Sequence, residues 1–181
     1  MEKKKQSEFI FVLLILISIL FFILEIGKDP LKNSYVYLNL DKGSKGEVIF
    51  LDNENTICEE FYSEASLILK CIAIRTVTWN NNYAEEDKLY LDLYDNESKK
   101  LLNSYAVKLR DLPNNGLYML YVDEDLLDNT WYTLYFRTNL KNDLDLKFAI
   151  MVGAADDNHK SHLYSDDEKD LCIVLYTEES Y

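Results

Sequence analysis

Several residue types with special chemistry are scarce in this chain of 181 residues, which has five glycines, three cysteines, two prolines and two histidines. The glycine-rich loops that cradle phosphates or dinucleotides are missing, and so is the G-x-S-x-G turn that carries a hydrolase serine. No cysteine spacing resembles a zinc site. We therefore expect a protein that is not an enzyme. A carboxylate pair for glycoside hydrolysis stays open, because the separation of such a pair is spatial and not sequential.

The cysteines are Cys58, Cys71 and Cys172, so the chain has room for at most one internal disulfide and one thiol must be left over. Each of them lies in an apolar stretch. Small buried side chains with free thiols are therefore favoured over a bridge.

Positive charge is also scarce, since 19 basic residues face 32 acidic ones and the net charge is -13. Within residues 1–26 the basic and acidic residues cancel, so the whole net charge belongs to the rest of the chain. Such a chain repels nucleic acid and anionic lipid headgroups, and we expect no nucleic acid partner. It attracts cations or basic partners.

One long apolar run is present, FIFVLLILISILFFIL from Phe9 to Leu24. Extended through Ile26, a helix of this run is roughly 27 Å long, close to the ~30 Å hydrocarbon core of a bilayer. No small-residue cleavage site follows, since the first alanine is Ala65. An uncleaved signal anchor is thus favoured over a removed signal peptide.

Lysines 3–5 precede this run, and basic flanks prefer the cytoplasm. The sequence therefore predicts a single-pass membrane protein in four parts: a cytoplasmic basic tail at 1–8, a transmembrane helix at 9–26, a linker at 27–33 and an extracytoplasmic domain at 34–181.

Beyond residue 30 the apolar residues alternate with polar ones. In KLYLDLY, for example, Leu89, Leu91 and Leu93 share one face, which is the period of a half-buried strand. Asn- and Asp-rich turns separate such segments. This pattern predicts an all-β domain, a two-sheet antiparallel β-sandwich of jelly-roll type, with at most one helical turn at 124–128. The predicted strands are 34–40, 47–51, 56–62, 66–79, 88–94, 100–109, 117–122, 131–138, 144–152 and 171–177.

Four segments carry a resemblance to a known class of domains: EVIFLDNENTICEEFYSEASLILKCIAIRTVTW, KLYLDLYDNESKKLLNSYAVKLRDL, WYTLYFRTN and DEKDLCIVLY. Their succession resembles the jelly-roll, carbohydrate-binding-like modules of bacterial cell-surface and membrane proteins, over about residues 45–177. The resemblance implies an extracytoplasmic sandwich that binds glycan. The scarcity of glycine departs from the pattern of these modules.

The candidate ligand-binding residues are Trp79, Asn81 and Tyr83, which lie together at the end of a predicted strand. Sugar sites combine an aromatic ring face with amides and carboxylates that bond hydroxyls. The favoured alternative is that Trp79 closes the core while the asparagines turn the chain. For Trp131, a place in the core is the favoured interpretation.

Calcium is the cofactor that suits this charge best, because it collects carboxylate and carbonyl oxygens. A solvated acidic loop is the favoured alternative, since no D-x-D-x-D-G loop is present. The candidate ligands are Asp52, Asn53, Glu54 and the acidic cluster Asp156, Asp157, Asp166, Asp167, Glu168 and Asp170.

Together these features predict a membrane-anchored extracytoplasmic module for a cell-surface glycan. The alternative is a structural or assembly subunit that holds another membrane or envelope protein.

Overall fold

The structure, a computed structural model, describes residues 13–20, 31–39, 47–141, 146–154, 161–163 and 169–180. The chain divides into two units, Met1–Asn33 and Ser34–Tyr181. In the first unit, residues 13–20 are helical. Among the described residues, no helix combines the length and the apolar character that crossing a bilayer requires. The predicted tail at 1–8, residues 9–12 and 21–26 of the predicted span, and residues 27–30 of the predicted linker lie outside the described residues.

The described part of the second unit consists mainly of β-strands, with a short 3-10 helix at Leu109–Asp111. The strands are β1 Tyr35–Asn39, β2 Val48–Leu51, β3 Thr56–Ser63, β4 Leu67–Val77, β5 Lys88–Asp95, β6 Lys100–Lys108, β7 Gly116–Leu126, β8 Thr130–Thr138, β9 Phe148–Ala154, β10 Ser161–Leu163, β11 Lys169–Leu171 and β12 Ile173–Glu179.

These strands form two sheets in which every pair is antiparallel. The first sheet has seven strands in the order β1-β12-β4-β9-β11, with β2 on β9 and β7 on β4. The second has five strands in the order β10-β3-β8-β5-β6. Successive strands β3, β4 and β5 alternate between the sheets, so both sheets depend on pairings between distant segments. The predicted all-β, two-sheet antiparallel sandwich is confirmed.

The core is built from the inward positions of both sheets. On β5 the predicted apolar face is buried, with Leu89, Leu91 and Leu93 each at most 1% exposed. Leu134 and Phe136 of β8 are fully buried in the same cluster. Because side chains alternate across a strand, burial of these positions turns their polar and aromatic neighbours outward.

The strands differ from the predictions at two places. Where at most one helical turn was expected, at 124–128, β7 continues to Leu126 and pairs there with Leu67 of β4. Strand pairing thus overrides the local helix preference of an acidic segment. Two short strands, β10 and β11, were not predicted, since three residues are too few for an alternating pattern.

None of the three cysteines is joined to another by a disulfide, and two of the three are buried as the favoured interpretation predicts. Cys71 and Cys172 are fully buried, and Cys58 is half-buried on β3. Burial raises the pKa of the Cys71 thiol to about 11.

Candidate functional site

The outer face of the five-stranded sheet carries the candidate site. On β8, Thr133, Tyr135 and Arg137 alternate with buried core residues and therefore point outward. The register of β3 and β5 against β8 brings their own outward residues beside these three side chains. Thr133 lies between Glu60 and Tyr94 in this register.

This face holds an open groove of about 550 Å³, which we call the outer groove. Its lining residues come from β3, β5 and β8 and from the turn between β5 and β6. They are Thr56, Glu60, Asp92, Tyr94, Asp95, Asn96, Lys99, Thr133, Tyr135 and Arg137.

Aromatic rings form much of the outer face. Tyr94 and Tyr135 meet edge to face in the outer groove, with ring centroids 5.3 Å apart. Beyond them, the Tyr62 and Trp131 rings lie with their centroids 5.3 Å apart. Trp131 is half-buried on the outer face, so its predicted place in the core is wrong. Contacts between these rings limit the rotamers that each can adopt.

A hydrogen-bonded group of polar side chains lies beside the tyrosines. Glu60 Oε1 accepts hydrogen bonds from Asn96 Nδ2 at 3.1 Å and from the Thr133 hydroxyl at 3.2 Å. The Thr133 hydroxyl is also 2.7 Å from Asn96 Oδ1. These bonds hold a carboxylate, an amide and a hydroxyl in fixed positions next to aromatic rings.

A second polar group lies further along β8. The Arg137 Nε donates to Asp92 Oδ2 at 3.3 Å, and the Arg137 Cζ lies 4.5 Å from the centroid of the Tyr90 ring. Ser104 of β6 donates to the other oxygen of Asp92. The stacking contact and the ion pair together orient the guanidinium.

Such a groove is suited to a sugar. The apolar face of a pyranose packs on an aromatic ring, and its hydroxyls bond to amides and carboxylates. These residues are not among those predicted from the sequence. The alternation in KLYLDLY and WYTLYFRT predicts which of their side chains point outward. It does not predict which strands lie beside each other on that face.

The predicted site residue Trp79 is exposed and does not close the core. Its side chain is 43% exposed and stacks on Phe50, which is 50% exposed, with centroids 5.4 Å apart and an interplanar angle of 6°. Trp79 and Asn80 have φ of 50° and 57°, and the Asn81 amide donates to the Thr78 carbonyl at 3.0 Å. Positive φ at both central residues is typical of a mirror-image turn and is uncommon for tryptophan.

The other two predicted site residues, Asn81 and Tyr83, form hydrogen bonds near the same turn. Asn81 Nδ2 donates to the Lys147 carbonyl at 3.0 Å. Tyr83 is only 5% exposed, and its hydroxyl bonds to the carbonyls of Lys147 and Thr78. None of the three predicted residues lines the outer groove. That they bind a ligand stays a prediction.

Replacing Tyr83 with phenylalanine is expected to destabilise the chain by about 1 to 2 kcal/mol, because it removes the hydroxyl that bonds to the carbonyls of Thr78 and Lys147. Binding in the outer groove should not change. Urea denaturation measures the first effect and ligand titration the second. A weaker affinity at unchanged stability would instead support a ligand-binding role for Tyr83.

A buried carboxyl pair lies between the sheets, and of its two members only Asp170 was a candidate from the sequence. Glu59 of β3 is fully buried, and Asp170 of β11 is 1% exposed. Glu59 Oε2 accepts a hydrogen bond from the Leu171 amide at 3.2 Å. Burial, and secondarily the charge of Asp170, raises the pKa of Glu59 to about 9. The alternation in TICEEFY could have predicted the burial of Glu59, since Glu59 shares a face with Ile57 and Phe61.

The first candidate calcium loop is organised by its own hydrogen bonds. Asp52 Oδ1 accepts from the amides of Glu54 and Asn55 at 2.8 and 3.0 Å, and Oδ2 accepts from Asn55 Nδ2 at 3.1 Å. Among the described residues, no three His, Cys, Asp or Glu side chains gather in a way that would hold a metal ion. Of the second candidate cluster, Asp156, Asp157, Asp166, Asp167 and Glu168 lie outside the described residues.

Comparison with the models of known protein families gives no match, and comparison with curated proteins gives none either.

Proposed function

We propose that this chain is a membrane-anchored, extracytoplasmic module that binds cell-surface glycan in the outer groove. In this proposal residues 9–26 are the transmembrane anchor, the N-terminus is cytoplasmic, and the sandwich lies outside. The apolar run and the preceding lysines support the anchor and its orientation.

The observation that carries the binding proposal is the composition of the outer groove. Tyr94 and Tyr135 offer aromatic surface, and Glu60, Asn96 and Thr133 lie beside them in fixed positions. A carboxylate, an amide and hydroxyls around aromatic rings complement the alternating C–H and O–H surfaces of a sugar.

The order of the strands supports the resemblance to jelly-roll modules. Four neighbouring strands of the first sheet run β1-β12-β4-β7, and four of the second run β3-β8-β5-β6. Two interleaved four-stranded sheets of this kind make up a jelly roll, an architecture that occurs among lectins. In this interpretation β2, β9, β10 and β11 are additions to the eight-stranded framework.

Substitution of Tyr135 by alanine is expected to lower the affinity for a bound polysaccharide roughly tenfold, because it removes an aromatic surface from the groove. The measurement is calorimetry of the full chain in detergent micelles against a panel of envelope polysaccharides. Trp79→Ala is the matched control, since Trp79 is similarly exposed but lies outside the groove. A loss with Trp79→Ala and none with Tyr135→Ala would contradict the groove and support the predicted cluster.

A second readout needs no change in the chain. Cys58 pairs with Tyr135 in register and is half-buried, whereas Cys71 and Cys172 are fully buried. A maleimide should therefore label Cys58 first, and a polysaccharide that covers the groove should slow this labelling.

The exposed Phe50–Trp79 stack favours one alternative function, a structural or assembly subunit. Two parallel rings at the surface are typical of a protein contact more than of a solvated loop. The Phe50→Ser/Trp79→Ser double variant should then lose partners that co-purify with the native chain from its own membranes. Identical co-purification would reject this alternative.

A further inference from the structure

The acidic side chains of the outer groove already bond to donors of the protein itself. Asp95 Oδ1 accepts from the amides of Glu97 and Ser98 at 2.8 and 3.1 Å, and its Oδ2 accepts from the Ser98 hydroxyl at 2.8 Å. Asp92 bonds to Ser104 and to Arg137 through its two different oxygens.

Glu60 is occupied in the same way, because its Oε1 accepts from two side chains, those of Asn96 and Thr133. The carboxylates of the groove therefore serve mainly to hold the groove together. A ligand that offers only donors finds much of this acceptor capacity already in use.

The basic side chains of the groove are in the opposite situation. Arg137 contacts Asp92 through Nε alone, and within the described ranges its two terminal Nη atoms have no acceptor. The Arg137 side chain is 47% exposed. Lys99, in the turn after β5, lines the groove and forms no ion pair with any residue that the structure describes. The groove thus presents unused cationic donors to a ligand.

Arg137 is also held in place for binding. Its guanidinium lies 4.5 Å from the Tyr90 ring centroid while Asp92 fixes Nε, so little rotamer entropy is left to lose. A guanidinium with two free Nη atoms matches the two oxygens of a carboxylate or a phosphate.

The two cations lie at opposite ends of the groove. Arg137 is opposite Tyr90, whereas Thr133 is opposite Tyr94, close to the turn that carries Lys99. Arg137 lies four positions along β8 from Thr133, a distance of about 13 Å. A ligand with its anion at Arg137 therefore extends over Tyr135 and Tyr94 toward Lys99.

From this arrangement, and resting on the proposed glycan function, we infer that the ligand of the outer groove is an anionic glycan whose carboxylate or phosphate pairs with Arg137. The net charge of -13 does not prevent this contact. At physiological salt the Debye length is about 8 Å, so distant carboxylates are screened while a direct guanidinium pair is not.

The test is calorimetry of the full chain in detergent micelles with three probes. They are polygalacturonic acid, the same polymer after reduction of its carboxyl groups, and poly(glycerol phosphate). We expect one of the two anionic polymers to bind at least tenfold more tightly than the neutral one, and which of them does so identifies the source of the anion.

Arg137→Gln should remove the preference for the anionic polymer, and Arg137→Lys should retain part of it, because lysine keeps the charge but loses the planar fork. Lys70→Gln is the matched control, since Lys70 is an ion-paired cation on β4, in the other sheet.

Each outcome decides one proposal. Equal or tighter binding of the neutral polymer, or an unchanged preference in Arg137→Gln, would overturn the anionic assignment alone. Absence of binding and of Cys58 protection across these probes and a wider set of neutral polysaccharides would overturn the proposed function as well.

Discussion

Replacing Glu59 with glutamine is expected to make the free energy of unfolding depend less on pH. The native chain should lose stability as the pH rises from about 4.5 to about 9, and the variant should lose less. Glu59 has a pKa of about 9 in the fold, against an ordinary value of 4.5. Between these values the folded chain keeps a proton that the unfolded chain releases. The stabilisation is therefore complete below pH 4.5 and disappears as the pH passes through the folded pKa, at up to about 1.4 kcal/mol per pH unit.

Glutamine keeps the size of the side chain and does not titrate. Its amide oxygen can still accept from Leu171, and its amide nitrogen can donate to Asp170, as a protonated Glu59 does. Urea denaturation of the full chain at a series of pH values measures the slope. Glu60→Gln is the matched control, because Glu60 lies on the opposite face of β3. If the free energy of unfolding fell equally steeply with pH in the native chain and in Glu59→Gln, Glu59 would not hold a proton in the folded chain.

The second large effect is expected at Tyr132, where alanine should cost about 3 to 5 kcal/mol of stability. Tyr132 is 1% exposed and stacks on Phe61 with centroids 5.4 Å apart. Its hydroxyl accepts from the Leu127 amide at 2.6 Å. Tyr132→Phe should cost less, about 1 to 3 kcal/mol, since it removes the hydroxyl and leaves the packing.

Tyr135 is the control for this prediction, because it lies on the same strand but is 37% exposed on the outer face. Tyr135→Ala should change stability by less than Tyr132→Ala while it lowers glycan affinity. Thermal denaturation followed by circular dichroism compares the variants. Equal destabilisation at the two positions would mean that β8 does not separate a core face from a binding face.

The strands of the sandwich were predictable because alternation is a local property of the chain. On β5 the alternation of leucines with polar residues predicted both the strand and its buried face, and Leu89, Leu91 and Leu93 are indeed buried. The end of β7 was not predictable in this way, since pairing of Leu126 with Leu67 extends the strand through an acidic segment.

The candidate site was less predictable than the fold. Trp79, Asn81 and Tyr83 were selected because they are neighbours in the sequence, yet Trp79 is exposed while Tyr83 is buried. The outer groove joins residues from Thr56 to Arg137, which meet only because β8 lies between β3 and β5. No local pattern records which strands become neighbours.

By itself, the sequence determined an acidic chain with one apolar segment near its start and an all-β domain after it, because composition and alternation are properties of the residues in order. Only the tertiary structure decided which charged groups bond to other groups of the protein and which remain available to a ligand. Asp92 and Asp95 of the outer groove are bonded by donors brought by strand pairing and by a turn, while the Nη atoms of Arg137 contact no acceptor among the described residues. Net charge is a sum over the chain, whereas recognition depends on the few groups that the fold leaves available at one surface.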